Sequence, residues 1–167
     1  VSLTNTGTTA VTITDTDALM FDVLSIAAGN LTVGSSGALD LGQGKVGGAL
    51  VATSGNGAVS QSGTLLVTGA TSINAGSSTI DLTTNGASNN FTGAVSLANI
   101  GTNAITITDI NALTLGILSI AAGDLTVGSS GALNLGLGTV GGALVAASND
   151  SAITQTDALL VTGTTNI

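Results

Sequence analysis

The octapeptide LGQGKVGG at residues 41–48 holds the only basic side chain of the chain, Lys45, and spells G-x-G-x-x-G through Gly42, Gly44 and Gly47. Glycines at that spacing let backbone N–H groups close around a phosphate when a strand leads in, a helix leads out and an acidic residue follows about 20 positions on. The piece ALDL at residues 38–41 can supply the strand. The succeeding piece, ALVATSGNGAVSQSG, has no helical pattern, and the next acidic residue is Asp81. Lys45 is followed by Val46, so the Gly-Lys-Ser/Thr of a Walker loop is missing as well. A second copy, LGLGTVGG at residues 135–142, keeps the glycines and puts Thr139 in the place of Lys45. The glycines read as a backbone corner.

Nine aspartates are the other charged groups. Carboxylate pairs can act as acid and base on a glycosidic bond, and several oxygens together can hold Ca²⁺. Asp40 and Asp81 alternate with apolar neighbours, as outward residues of strands do. Asp15, Asp109, Asp124 and Asp150 sit beside turns, where an Asp side chain bonds nearby backbone. Asp40 becomes Asn134 in the second copy and Asn30 becomes Asp124, so no acidic column is kept. The chain has no Glu, Arg, His, Tyr or Cys, so no nucleophile–base pair can be built. The expectation is no enzyme, no catalytic, cofactor-binding or metal-binding residue, and no cofactor.

Two further features have a binding reading. Thr12 and Thr14, with Thr106 and Thr108, form T-x-T pieces of the kind that a flat, water-ordering threonine face would need in successive turns. They recur only once per repeat, and exposed Thr is ordinary on a strand. Asn30, Asn90 and Asn149 head N-x-S/T sequons, short enough to arise by chance in a chain rich in Asn and Thr.

The net charge of −8 argues against nucleic acid, which needs Lys and Arg to neutralise phosphates, and against anionic lipid. Mean hydropathy of +0.62 argues against disorder. Apolar runs stop at five residues, far short of a membrane helix, and two Phe cannot make the aromatic girdles of an outer-membrane barrel. No membrane insertion is expected.

The elements that must position these residues are set by repetition. Residues 1–73 match residues 95–167 without a gap, with 48 of 73 positions identical at an offset of 94. The chain divides into a first repeat unit, residues 1–94, and a second, truncated unit, residues 95–167, and reads as a segment of something longer. Short pieces alternate with period two: Val1 and Leu3, Val11 and Ile13, Leu31 and Val33, Leu39 and Leu41, Ile80 and Leu82. Gly, Asn, Ser and Thr separate them, and no helical period is sustained. Three strands to a block and blocks stacked on one another make an all-β parallel β-helix, or β-solenoid. Dividing the first unit into four blocks of 22–25 residues gives about seven coils in one continuous solenoid, four in the first unit and three in the second. Val1, Val23 and Val46 are then expected to lie above one another. The composition suits that geometry: a narrow interior excludes rings, and stacked coils about 4.8 Å apart disfavour like charges and Pro.

The repeats AVSQSGTLLVTGATSINAGSSTIDLTTNGASNNFTGAVSL (residues 58–97), TDALLVTG and AITITDINALTLG resemble those of filamentous-haemagglutinin-like adhesins and giant autotransporter-type proteins of bacteria. The resemblance covers essentially the whole chain. It implies a right-handed β-helix in a secreted or cell-surface protein, acting as a structural shaft. Its partners would be neighbouring repeats of the same chain and a host or neighbouring cell surface met through regions outside this segment. Separately, coil ends of such a solenoid expose unpaired strand edges, so end-to-end self-association is expected unless they are capped.

Overall fold

A computed structural model describes residues 1–84 and 88–167. Every strand pair in it is parallel, and each turn of the chain lays down three strands. The first turn has β1 (Leu3–Asn5), β2 (Val11–Asp15) and β3 (Leu19–Met20); the second has β4 (Val23–Ile26), β5 (Leu31–Ser35) and β6 (Leu39–Asp40). The third has β7 (Gln43–Val46), β8 (Leu50–Ser54) and β9 (Val59–Ser60); the fourth has β10 (Leu65–Val67), β11 (Thr71–Asn74) and β12 (Ile80–Leu82). The fifth has β13 (Asn90–Phe91), β14 (Val95–Asn99) and β15 (Ile105–Asp109). In the sixth, β16 (Leu113–Ile120) bends across two faces before β17 (Leu125–Ser129). The seventh has β18 (Leu133–Asn134), β19 (Leu137–Val140) and β20 (Leu144–Ser148); the eighth has β21 (Ile153–Thr154), β22 (Leu159–Val161) and β23 (Thr165–Asn166). The chain is a β-solenoid of eight turns.

Strands stack into three faces. The first runs β1-β4-β7-β10-β13. The second runs β2-β5-β8-β11-β14 and continues through the second half of β16 to β19 and β22. The third holds β3-β6-β9-β12-β15-β17-β20-β23. The first half of β16, with β18 and β21, forms a short column that takes the first face's place in the turn order.

Period-two alternation then makes the core. On the second face Leu31, Leu50, Thr71 and Val95 stack in register, and beside them Val33, Ala52, Ile73 and Leu97. On the third, Leu19, Leu39, Val59, Ile80, Ile105, Leu125 and Leu144 form one column. All are buried, and the apolar ones belong to one continuous cluster. Each fully buried Leu, Ile or Val contributes roughly 1.5–3 kcal/mol, so stability is spread along the rod.

The turns are shorter than the sequence division suggests. Leu31 pairs with Val11, twenty residues back, and with Leu50, nineteen residues on. Val23 lies opposite Gln43 and is 40% exposed, whereas Val46 stacks between Ile26 and Val67. Val1, 67% exposed, lies outside β1, so Val1, Val23 and Val46 form no column. The reason is that a turn is three strands and three corners, and the 94-residue unit is not a whole number of turns. Only the pairings that span residues 85–87, outside the described part, are longer: 24 residues from Leu66 to Asn90 and from Thr71 to Val95, and 25 from Ile80 to Ile105.

Candidate functional site

In the structure the glycine motif lies across a corner and the start of β7. Gly42 and Gly44 have φ of +65° and +125°, backbone that L side chains rarely adopt. A Cβ at Gly44 would also overlap the Leu24 carbonyl in the turn below. The second copy repeats both conformations at Gly136 and Gly138, with φ of +66° and +121°. The amides a phosphate would need are already engaged. Gly42 N–H donates to Asp40 Oδ1 at 2.8 Å, Gln43 N–H to the Asp22 carbonyl at 3.1 Å, Gly44 N–H to the Thr64 carbonyl at 2.8 Å and Gly47 N–H to the Ile26 carbonyl at 2.8 Å. Lys45 is an exposed residue of the first face, in register between Ser25 and Leu66. The motif closes a corner on its neighbours.

The aspartates are distributed along the rod. Asp40 accepts from Gly42, and Asn134 repeats that bond with Gly136 N–H at 2.9 Å. Asp124 accepts from Ala143 N–H at 2.7 Å, as Asn30 does from Ala49 at 2.9 Å. Asp and Asn exchange freely here because only the carbonyl-type oxygen is used. Asp81 accepts from the Thr83 hydroxyl at 2.6 Å and the Thr106 hydroxyl at 3.1 Å. Asp15 takes the Asp17 N–H at 2.8 Å, and Asp150 sits in a turn with φ of +57°. Among the described residues no three carboxylates gather into a cation cage.

The threonine pairs are not brought together. Thr12 and Thr14 project from β2 on the second face, whereas Thr106 and Thr108 lie half-buried on β15 of the third. Above Thr14 the column runs to Gly34 and then Thr53, so no unbroken threonine file forms. Of the sequon residues, Asn30 is exposed, Asn90 half-buried on β13, and Asn149 exposed in a turn.

Two polar devices are buried, and their burial is not legible in the residues, although a turn-side bond of Asp109 to nearby backbone is expected. Gln61 and Asn89 form a reciprocal amide pair inside the solenoid: Gln61 Nε2 donates to Asn89 Oδ1 at 2.9 Å, and Asn89 Nδ2 donates to Gln61 Oε1 at 3.0 Å. Asn89 also accepts from Leu65 N–H at 2.9 Å and donates to the Leu82 carbonyl at 2.9 Å, tying β10 and β12 across the long passage. The sequence held one clue, since Gln61 follows Val59 and Ser60 as Phe21 follows Leu19 and Met20, an inward place in an apolar series. The second device is Asp109, buried at the end of β15. Its Oδ1 accepts from Asn111 N–H at 2.7 Å and its Oδ2 from Phe91 N–H at 2.6 Å. Burial raises its pKa above the ordinary carboxyl value, against the two backbone donors that lower it.

Two shallow depressions mark the surface. One surrounds the β-bulge on the second face, where register slips between Val95 and Leu97 and Ser96 Oγ accepts from Ile117 N–H at 3.0 Å. It is lined by Ser72, Ser96, Ala98, Ile117 and Ser119 over buried Ile73 and Leu97. Its hydroxyls have no base beside them, and no charged group lines it. The other, on the third face, is lined by Ser129, Ser130, Ser148 and Asn149 around the rim of Asp109, whose oxygens are both engaged. The chemistry on offer is hydrogen bonding by hydroxyls and amides.

No curated protein and no solved structure matches the chain significantly. The model of a family described as repeats of unknown function (DUF5649) matches residues 28–98 and again residues 122–167. Both matches begin at the same point of the repeat, 94 residues apart, and together they span well over half of the chain. The chain therefore belongs to the DUF5649 repeat family.

Proposed function

We propose that this chain is a shaft segment of a long secreted or cell-surface bacterial repeat protein, adhesin-like, whose work is to hold a binding region at a fixed distance. The observation that supports it is the three ladders of parallel strands running along one axis over an unbroken apolar column. Backbone hydrogen bonds aligned with the axis resist extension, and repetition sets length. The hydrogen-bonded Asp40, Asn134, Asn30 and Asp124 hold corners and seams between turns, which suits a spacer. The resemblance to filamentous-haemagglutinin-like repeats supports the export and adhesion parts of the reading.

Deleting one 94-residue unit from the parent protein tests it. The unit holds thirteen described strands, β1 to β13, so the shaft should shorten by roughly 21 Å at 4.8 Å per turn. Electron microscopy should show that shortening with receptor specificity unchanged. Loss of specific receptor binding on the deletion, or tight receptor binding by residues 1–167 alone, would contradict the proposal.

A second reading is assembly into filaments, because a ladder built wholly of parallel strands can continue from one copy into the next wherever a turn is left uncapped. Sedimentation across a concentration series should show growing rods; monomers throughout would remove this reading.

A further inference from the structure

The first unit lays down thirteen described strands, β1 to β13, before the sequence begins again at Val95 with β14. At three strands to a turn, thirteen make four turns and one strand over. Equivalent strands of the two units therefore cannot share a face. The pairing register bears this out strand by strand. β1 stands on the first face and its repeat, β14, on the second, stacked on β11. β2 stands on the second face and its repeat, β15, on the third, stacked on β12. β7 and β10 of the first face return as β19 and β22 on the second, and β8 of the second returns as β20 on the third.

We infer that the 94-residue unit is a screw element, which carries its surface features round by one face, a third of a turn, at each repetition. The exposed aliphatic side chains show what this does. Val51, 40% exposed on the second face, reappears as Val145, 40% exposed on the third. Leu66, 42% exposed on the first face, reappears as Leu160, 63% exposed on the second. A partner whose footprint is one unit meets the same feature roughly 21 Å further along and on the next side. A rigid partner lying along one side cannot repeat its contact from one unit to the next. In a tandem run a feature regains its face only after three units, about 62 Å. Two shafts lying side by side are likewise denied a unit-by-unit match, so apolar features that would otherwise line up as a sticky stripe are dispersed around the rod. The inference rests on the pairing register and not on the shaft proposal.

Disulfide trapping in the full 167-residue chain tests it, since the chain has no cysteine of its own. Neighbours on stacked parallel strands lie about 4.8 Å apart, within the Cα range a disulfide spans. The pairs Ser72→Cys/Ser96→Cys and Asp81→Cys/Thr106→Cys report the rotated stacking directly. Without the rotation β15 would sit on β11, and Ser72→Cys/Thr106→Cys would be the pair to link. Thr12→Cys/Thr32→Cys, within the first unit, forms under either arrangement and shows that each preparation is folded. Under mild oxidation the two rotated pairs should link as fast as the control, and Ser72→Cys/Thr106→Cys at least about tenfold more slowly, as sites on different faces cannot meet the Cα separation a disulfide needs. Equal or faster linking of Ser72→Cys/Thr106→Cys overturns the inference. So does failure of both rotated pairs while the control links.

Discussion

Asp109 accepts the backbone N–H of Phe91 at 2.6 Å, joining the end of the fifth turn back to its own beginning. Asp15, the same residue of the first unit, is exposed and bonds within its own turn, to Asp17 N–H at 2.8 Å. The difference is the neighbour. The first-face sheet ends at β13, and Asp109 supplies the acceptor that the Phe91 amide would otherwise lack there.

Because burial raises the Asp109 pKa, the neutral carboxyl is favoured in the folded state relative to the unfolded chain. Its stability contribution is then fully present below about pH 4, the unfolded value, and is lost as pH rises through the raised folded value. Urea midpoints measured from about pH 3 to about pH 7 should fall more in the native chain than in Asp109→Asn, which cannot titrate there. Parallel pH profiles for the two would contradict this.

Thr71 is inward on β11, between Leu50 and Val95, and its Oγ1 is a buried hydroxyl without a hydrogen-bond partner. Thr71→Val keeps the shape and removes the unsatisfied group, so stability should rise by about 1 kcal/mol. For a chain of this size that is a Tm increase of about 2–4 °C. An unchanged or lowered Tm would show that the hydroxyl is satisfied in solution.

The Gln61–Asn89 pair should behave as a unit. Asn89→Leu leaves Gln61, Leu65 N–H and the Leu82 carbonyl short of partners, and should cost about 2–3 kcal/mol. Adding Gln61→Leu should recover part of that loss, giving a coupling of about 1 kcal/mol or more in a double-mutant cycle. Simple additivity would mean that the two amides act independently.

Two glycines separate backbone necessity from spacing. At Gly34 an added methyl would meet Thr14 Cγ2 at 3.6 Å, ordinary contact, on extended backbone. Gly34→Ala should be neutral or stabilise by about 0.5 kcal/mol. Gly44→Ala combines φ of +125° with overlap of the Leu24 carbonyl, and should cost about 3 kcal/mol or more, measured by the same denaturant series. Similar stabilities for the two variants would contradict the corner geometry.

How far the sequence reveals this structure depends on the range of the interaction. Period-two alternation at Leu31 and Val33 or at Ile80 and Leu82 is local, and those residues are buried in strands as it requires. Turn-capping by Asp15 and Asp109, each accepting from the amide two residues on, follows from side-chain chemistry and is equally legible, whereas Asp40, read as an outward strand residue, also caps the corner at Gly42. Turn length was not, because the 94-residue period hides the thirteen-strand count, and blocks cut at near-equal quarters put Val23 over Val1 instead of Leu24 over Leu3. Gln61–Asn89 and Asp109–Phe91 depend on which turns come to lie together, 28 and 18 residues apart, and no local pattern announces such partners.

Successive turns stack in register, each strand bonded to its counterpart about twenty residues away. Through-hydrogen-bond NMR couplings read this directly. Couplings are expected from the amide nitrogens of Leu31, Leu50 and Thr71 to the carbonyl carbons of Ala49, Ala70 and Ala94, bonds of 2.8, 2.9 and 2.9 Å. Couplings confined to partners within one turn, as antiparallel hairpins would give, would contradict it.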